Sequence, residues 1–196
     1  MPQGAGSRLP VSFYAHDTVK VAKGLLGCEL RHETPDGTAA GIIVETEAYR
    51  GVDDEASHAS KGPTPRSRIM FGEAGKAYVY FIYGMHFMFN VVTGTEGTAG
   101  AVLVRALEPT IGLDIMRKRR LLSENGPLTN GPGKLTQALG ITLEQNGAYL
   151  TAGPLGIWRV PTKVHLEIET TPRVGIVGSV ANPWRFLIKG NRYVSV

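Results

Sequence analysis

Residues 42–49 read Ile42-Ile43-Val44-Glu45-Thr46-Glu47-Ala48-Tyr49, and this run constrains the chain more than any other. Its β-branched residues favour an extended strand, and alternate side chains of a strand point to opposite faces. Ile43, Glu45, Glu47 and Tyr49 then share one face. Ile42, Val44, Thr46 and Ala48 share the other, which reads as the core side. Gly51 breaks the strand into an acidic loop, Val52-Asp53-Asp54-Glu55-Ala56-Ser57-His58. Two carboxylates and an aromatic on one face, with a histidine brought back by the loop, describe two things, the first of them the commoner. One is a solvated strand face; the other is a wet pocket with acid–base chemistry.

The remaining residues narrow the chemistry. The one cysteine, Cys28, allows neither an internal disulfide nor a cysteine metal cluster, and it excludes the zinc-deaminase signature. The five histidines, His16, His32, His58, His86 and His165, lack metalloprotease spacing, and no Gly-x-Ser-x-Gly elbow occurs. With 196 residues, 42% of them hydrophobic, the chain can bury one real core. Its 25 glycines and 12 prolines favour turns over long helices. A net charge of +4 suits a polyanionic partner. The first ten residues lack the apolar centre of a signal peptide. The apolar run over 77–95 is interrupted by Gly84 and rich in Tyr and Asn, which reads as a hairpin rather than a membrane span. A soluble intracellular protein is expected.

In chain order, residues 1–10 read as a flexible arm and 11–196 as a single domain. Asp17 can cap a short helix carrying Val19, Ala22, Leu25 and Leu26, ended by Gly27. Residues 28–33 and 38–49 read as strands joined by Pro35-Asp36-Gly37. Thr64-Pro65 reads as a cap and first-turn proline for a short helix through Phe71. Residues 76–92 place β-branched and aromatic side chains on both sides of Gly84, which predicts a β-hairpin with Tyr83, Gly84, Met85 and His86 at its tip. Either that tip protrudes or it folds back and makes Tyr83 core. Asn90 is polar inside an apolar strand, and a buried amide satisfied by backbone is the commoner meaning. Arg105 interrupts the strand over 101–107. A guanidinium there must meet a carboxylate or open into a cavity. A helix is expected from Ile111 to Leu122 with Arg117, Lys118, Arg119 and Arg120 in its last turns, where positive charge suits either a helix C-terminus or a phosphate. Asn130-Gly131-Pro132-Gly133-Lys134-Leu135 begins another helix through Leu139, whose amides and Lys134 can hold a phosphate without P-loop spacing. Short strands are expected over 156–160, 163–169, 173–177, 184–188 and 192–196, closing a sheet or small barrel.

The surviving kit is a carboxylate pair, a loop histidine, tyrosines, a strand arginine and an aromatic hairpin tip. It suits gripping a flat ring and directing water at a sugar carbon. Several runs together resemble one family: Ile43 to Tyr49, Asp54 to His58, Thr64-Pro65-Arg66, Tyr78-Val79-Tyr80 with Ile82 to Met85, Arg105 to Pro109, Gly131 to Leu135, and Arg173-Val174-Gly175. In that order they resemble the alkyladenine, or 3-methyladenine, DNA glycosylases, from about Thr18 to the C-terminus.

The resemblance implies one mixed α/β domain around a curved, mainly antiparallel sheet or small open barrel, with a protruding hairpin that intercalates into DNA. It implies no metal, no cofactor and a monofunctional enzyme that leaves an abasic site. Its partner would be double-stranded DNA carrying an alkylated or deaminated purine. The catalytic base falls on Glu47, the water-holding arginine on Arg105 and a water-holding backbone carbonyl on Val174. The base-stacking walls fall on Tyr49, His58 and Tyr80. The residue crowding a guanine amino group falls on Asn90, and the side chain filling the vacated stack on Tyr83, flanked by Met85 and His86. His86 stands where some members carry an aromatic hydroxyl. DNA backbone contacts are expected from Arg117, Lys118, Arg119, Arg120 and Lys134. The chain lacks the long N-terminal extension of vertebrate members, so a bacterial protein of the cytoplasm and nucleoid, monomeric and without membrane contact, is expected.

Two other classes share parts of the kit. A non-catalytic nucleic-acid binding module would keep the hairpin and basic helix without needing Glu47. A glycosidase of free sugars would use Glu45 and Glu47, but same-face neighbours on a strand lie about 7 Å apart on one side of any substrate, and such enzymes need opposed carboxylates.

Overall fold

The computed structural model describes residues 6–122, 126–161, 166–176 and 182–195. The strands are β1 (Ser7–Arg8), β2 (Glu29–Thr34), β3 (Gly37–Arg50), β4 (Ala77–Ile82), β5 (His86–Val92), β6 (Gly100–Ile111), β7 (Leu155–Arg159), β8 (Ile168–Thr171) and β9 (Arg185–Ile188). The helices are α1 (Val11–Tyr14), α2 (Thr18–Leu25), α3 (Leu113–Arg120) and α4 (Pro132–Leu139). All pairings among these strands are antiparallel, in the order β1-β7-β2-β3-β6-β5-β4. β9 joins β3 at Glu45–Glu47, beyond the end of β2, and carries β8 on its far side. The sheet does not close on itself, so the open form of the expected architecture is the one adopted.

The residues at each end of α2 explain its length. Asp17 accepts hydrogen bonds from the amides of Val19 and Lys20, and the helix yields at Leu26 before Gly27. Its apolar stripe, Val21, Ala22 and Leu25, is buried on the sheet with Leu135, Ala138 and Leu139 of α4. β4, β5 and β6 alternate cleanly. Val79, Phe89, Val91, Val102 and Val104 enter this helix-covered core. Tyr78, Tyr80, Met88, Asn90, Leu103 and Arg105 face the other way and line a cavity.

β3 departs from simple alternation. Ile43 pairs with Leu107 and Glu45 with Ala106, so Val44 is an extra residue; Thr46 then pairs with Val104, so Arg105 is extra in β6. These two bulges shift the faces by one residue. Ile43 therefore lies in the main core beside Ala48, not on the face of Glu45 as strict alternation predicted, and Ile42 is only half-buried. Glu45, Glu47 and Tyr49 keep their common side.

Other expectations shift locally. Of the arm over 1–10, residues 1–5 lie outside the described residues, while Ser7 and Arg8 pair with β7 and Leu9 is buried. Ile111 ends β6, and the basic helix begins only at Leu113. The segment after Thr64-Pro65 is a 3-10 turn, Arg68–Phe71, because Gly72 leaves no length for an α-helix. The strand expected over 163–169 is β8, later by several residues, with 162–165 outside the described residues. The described residues of 173–177 and of 192–196 form turns, not strands; Val177 and Val196 lie outside the description.

Candidate active site

A cavity of about 410 Å³ opens on the side of the sheet away from the main core. Its walls are Tyr49, His58, Tyr78, Tyr80, Met88 and Asn90, with Arg105 buried and Val174 and Tyr83 exposed among the lining residues. Seven of the residues singled out from the sequence therefore converge: Tyr49, His58, Tyr80, Tyr83, Asn90, Arg105 and Val174. A larger recess of about 580 Å³ lies between residues 15–18 and 94–99, but Asp17 there is spent capping α2.

The walls are held by mutual contacts. The His58 and Tyr80 rings meet edge to face at 4.7 Å, and His58 Nδ1 lies 2.9 Å from the Tyr78 hydroxyl. Burial, helped by the nearby Arg66 charge, lowers the His58 pKa below its ordinary value. Burial also raises Tyr80, to about 12. The Arg66 guanidinium stacks 4.7 Å from the Tyr80 ring centre. Asn90 is the backbone-satisfied buried amide expected, its Nδ2 donating to the carbonyl of Tyr78 at 3.1 Å, and it also lines the cavity.

Glu47 is wholly buried beneath Tyr49 rather than on a wet strand face. Its Oε1 accepts the Val174 backbone amide at 2.7 Å. Its Oε2 accepts the Tyr49 hydroxyl at 2.9 Å and Arg105 Nη1 at 3.3 Å. The Val174 contact thus runs through its N–H, where the resemblance implied a role for its carbonyl. Tyr49 keeps its proton, its pKa raised by burial and then by the Glu47 charge.

Glu45, also wholly buried, has a different set of partners. Its Oε1 accepts Arg105 Nε at 2.9 Å, Arg185 Nε at 2.7 Å and the Ser195 hydroxyl, and its Oε2 accepts the Ser195 amide. Arg105 spans the two carboxylates, which answers the question its place in an apolar strand raised.

One pair escaped sequence reasoning. Arg173 and Asp54, both fully buried, form a bidentate ion pair at 2.6 and 2.8 Å. Both residues sat in the runs that carried the resemblance, but nothing local signals that they meet.

At the hairpin tip, Tyr83 and Met85 are 81% and 69% exposed, so the tip protrudes and Tyr83 is not core. His86 is exposed and lies against Gly133, where a Cβ would come within 2.9 Å of its ring. Thr136 of α4 donates to the Phe87 carbonyl at 2.9 Å and braces the hairpin base. Lys134 donates to Asn130 Oδ1 at 2.9 Å. Of the basic helix, Lys118 is exposed and Arg117 pairs with Asp114. Arg119 donates to Thr34 and the Ala138 carbonyl, and Arg120 to Gln137 and the Pro127 carbonyl, tying α3 to its neighbours.

Residues 12–192 match the family model described as methylpurine-DNA glycosylase. The chain belongs to the methylpurine-DNA glycosylase family. Several relatives are about half identical to this chain. A protein of Methanoculleus marisnigri, named "Putative 3-methyladenine DNA glycosylase", is 55% identical over 95% of this chain and 98% of its own length. Relatives of the same name from Rhodopseudomonas palustris and Carboxydothermus hydrogenoformans are 51% and 49% identical, over 93% and 95% of this chain and 85% and 98% of their own. As a methylpurine-DNA glycosylase family member the chain carries its aromatic cavity and buried carboxylates on one continuous sheet. Among the described residues no helix is long and apolar enough to cross a membrane.

Proposed function

We propose that this protein is a monofunctional glycosylase that flips alkylated or deaminated purines out of duplex DNA and hydrolyses their N-glycosidic bond. The purines in question are 3-methyladenine, 7-methylguanine, hypoxanthine and ethenoadenine. The observation that carries the reading is Glu47: a dry carboxylate set below an aromatic cavity, with donors on both oxygens. The flipped base stacks among Tyr49, His58 and Tyr80, while Asn90 crowds a guanine amino group. Tyr83, supported by Met85 and His86, occupies the gap left in the stack. A water held by Glu47, Arg105 and the Val174 backbone attacks C1′, and Glu47 takes its proton as the base departs. An alkylated cationic base leaves as a neutral purine and needs no acid, whereas hypoxanthine or ethenoadenine, neutral in the duplex, leaves as a purine anion that takes its proton from solvent. Among the described residues no lysine lines the cavity, which favours water over an amine as nucleophile. DNA phosphates meet the basic surface of α3 and the start of α4, with Lys118 the most available of the five basic residues and Arg117, Arg119, Arg120 and Lys134 partly committed to the protein.

Glu47→Gln tests this reading. Gln keeps the volume but takes no proton, so single-turnover excision of 7-methylguanine should fall by at least about 10²–10⁴-fold, the range of general-base contributions. A gel shift on the same duplex should show near-normal binding. A variant that retains a tenth of the wild-type rate removes Glu47 from the role of base.

A further inference from the structure

We infer that the buried Asp54–Arg173 pair is a latch that positions the catalytic carboxylate and the cavity wall as one unit; this rests on the reading of Glu47 as base. Arg173 touches the site at three points. It donates to the Ala48 carbonyl at 3.0 Å, between Glu47 and Tyr49. Its guanidinium lies 4.7 Å from the centre of the Tyr49 ring and 5.2 Å from that of Trp184, so the Tyr49 wall is clamped by a cation. Its chain neighbour Val174 supplies the amide on Glu47 Oε1. Asp54 works from the other side. Its carboxylate accepts the amides of Arg50 and Ala56 as well as the guanidinium fork, and so closes the loop that brings His58 to the cavity.

The pair therefore joins the end of β3 and the loop that follows it to the turn at Val174, where Arg173 lies 119 residues on from Asp54. A planar bidentate fork holds both distance and angle, which a single contact cannot. Asp54 and Arg173 are positioning residues; neither lines the cavity.

The test uses the full chain with Asp54→Asn, Arg173→Lys and a paired apolar replacement, Asp54→Leu with Arg173→Met. The apolar pair guards against misfolding, since buried ion pairs replaced by apolar residues of similar volume often keep or raise stability. Melting temperature, affinity for lesion-free duplex and single-turnover excision of 7-methylguanine are measured well below each melting temperature. A displaced catalytic group costs about 10²-fold, so excision should fall by about that factor while affinity for lesion-free duplex stays within about threefold. Lys keeps the charge but lacks the fork and should not rescue the rate. Excision within about threefold of wild type in Arg173→Lys or in the apolar pair overturns the latch. So does a parallel loss of rate and affinity, or an apolar pair that does not fold, because either makes the pair an element of general stability. Glu47→Gln runs beside them. If it stays active, the reading of Glu47 falls; if it is dead while the latch variants excise normally, only the latch falls.

Discussion

Glu45 and Glu47 are two residues apart, equally buried and joined by the same arginine, yet they are not equivalent. Four hydrogen bonds from Arg105, Arg185 and Ser195 absorb Glu45. A carboxylate so completely paired is a structural anchor, since its desolvation is balanced only while every partner stays. Glu47 faces Tyr49 and Val174, both cavity residues. The histidines carry a separate consequence. Burial lowers His58, reinforced by Arg66; burial also lowers His32, opposed by its bond to the Leu139 carbonyl and reinforced by Arg119. The unfolded chain therefore binds protons that these folded imidazoles resist. Their contribution to stability is complete above about pH 6.5, the ordinary histidine value, and is lost as pH falls through their depressed folded values. The melting temperature should fall between pH 7 and pH 5, and His58→Gln should flatten that profile. A His58→Gln profile parallel to wild type would mean that His58 titrates alike in both states.

The hairpin of β4 and β5 is the element whose form most directly states its use. Tyr83 and Gly84 both take positive φ, +54° and +69°, as hairpin tips of the mirror-image turns require. Positive φ costs a non-glycine residue about 1–2 kcal/mol, and Tyr83 bears that cost with its ring 81% exposed. Below the tip, Gly133 and Thr136 of α4 stiffen the base. Tyr83→Ala should leave the melting temperature nearly unchanged. It should slow excision from a fully paired duplex by about tenfold, equivalent to 1.4 kcal/mol of lost wedge. The same variant should excise nearly normally from a bulge, where little stacking must be broken. Equal losses on both substrates would mean that Tyr83 does not act as a wedge. The bulges at Val44 and Arg105 are the other telling devices. They let Ile43 and Ala48 enter one core while Glu45 and Glu47 both turn away from it.

At the scale of the molecule, one sheet separates two tasks. Its helix-covered face holds the main core, and its other face holds the cavity beneath the hairpin. With a net charge of +4 and the exposed Lys118 on α3, DNA affinity should fall steeply with salt, because neutralised phosphates release counterions. Lys118→Ala should make the plot of log affinity against log salt shallower by about one. An unchanged slope would place Lys118 away from the DNA. Much of this arrangement is legible in residue order. Alternation and turn chemistry suffice for β2 through β6, for the hairpin though not for the exposure of its tip, and for the shared side of Glu45, Glu47 and Tyr49, because these depend on neighbours a few residues apart. The face of Ile43 was not legible, since a bulge depends on the partner strand. Neither was the division of labour between Glu45 and Glu47. Their partners Ser195 and Val174 lie 150 and 127 residues away, and Arg173 reaches Asp54 across 119. Strand period and turn type are local properties of the chain, whereas which partners each buried carboxylate takes, and whether those partners line the cavity, is decided only when distant segments supply the hydrogen bonds that burial makes obligatory.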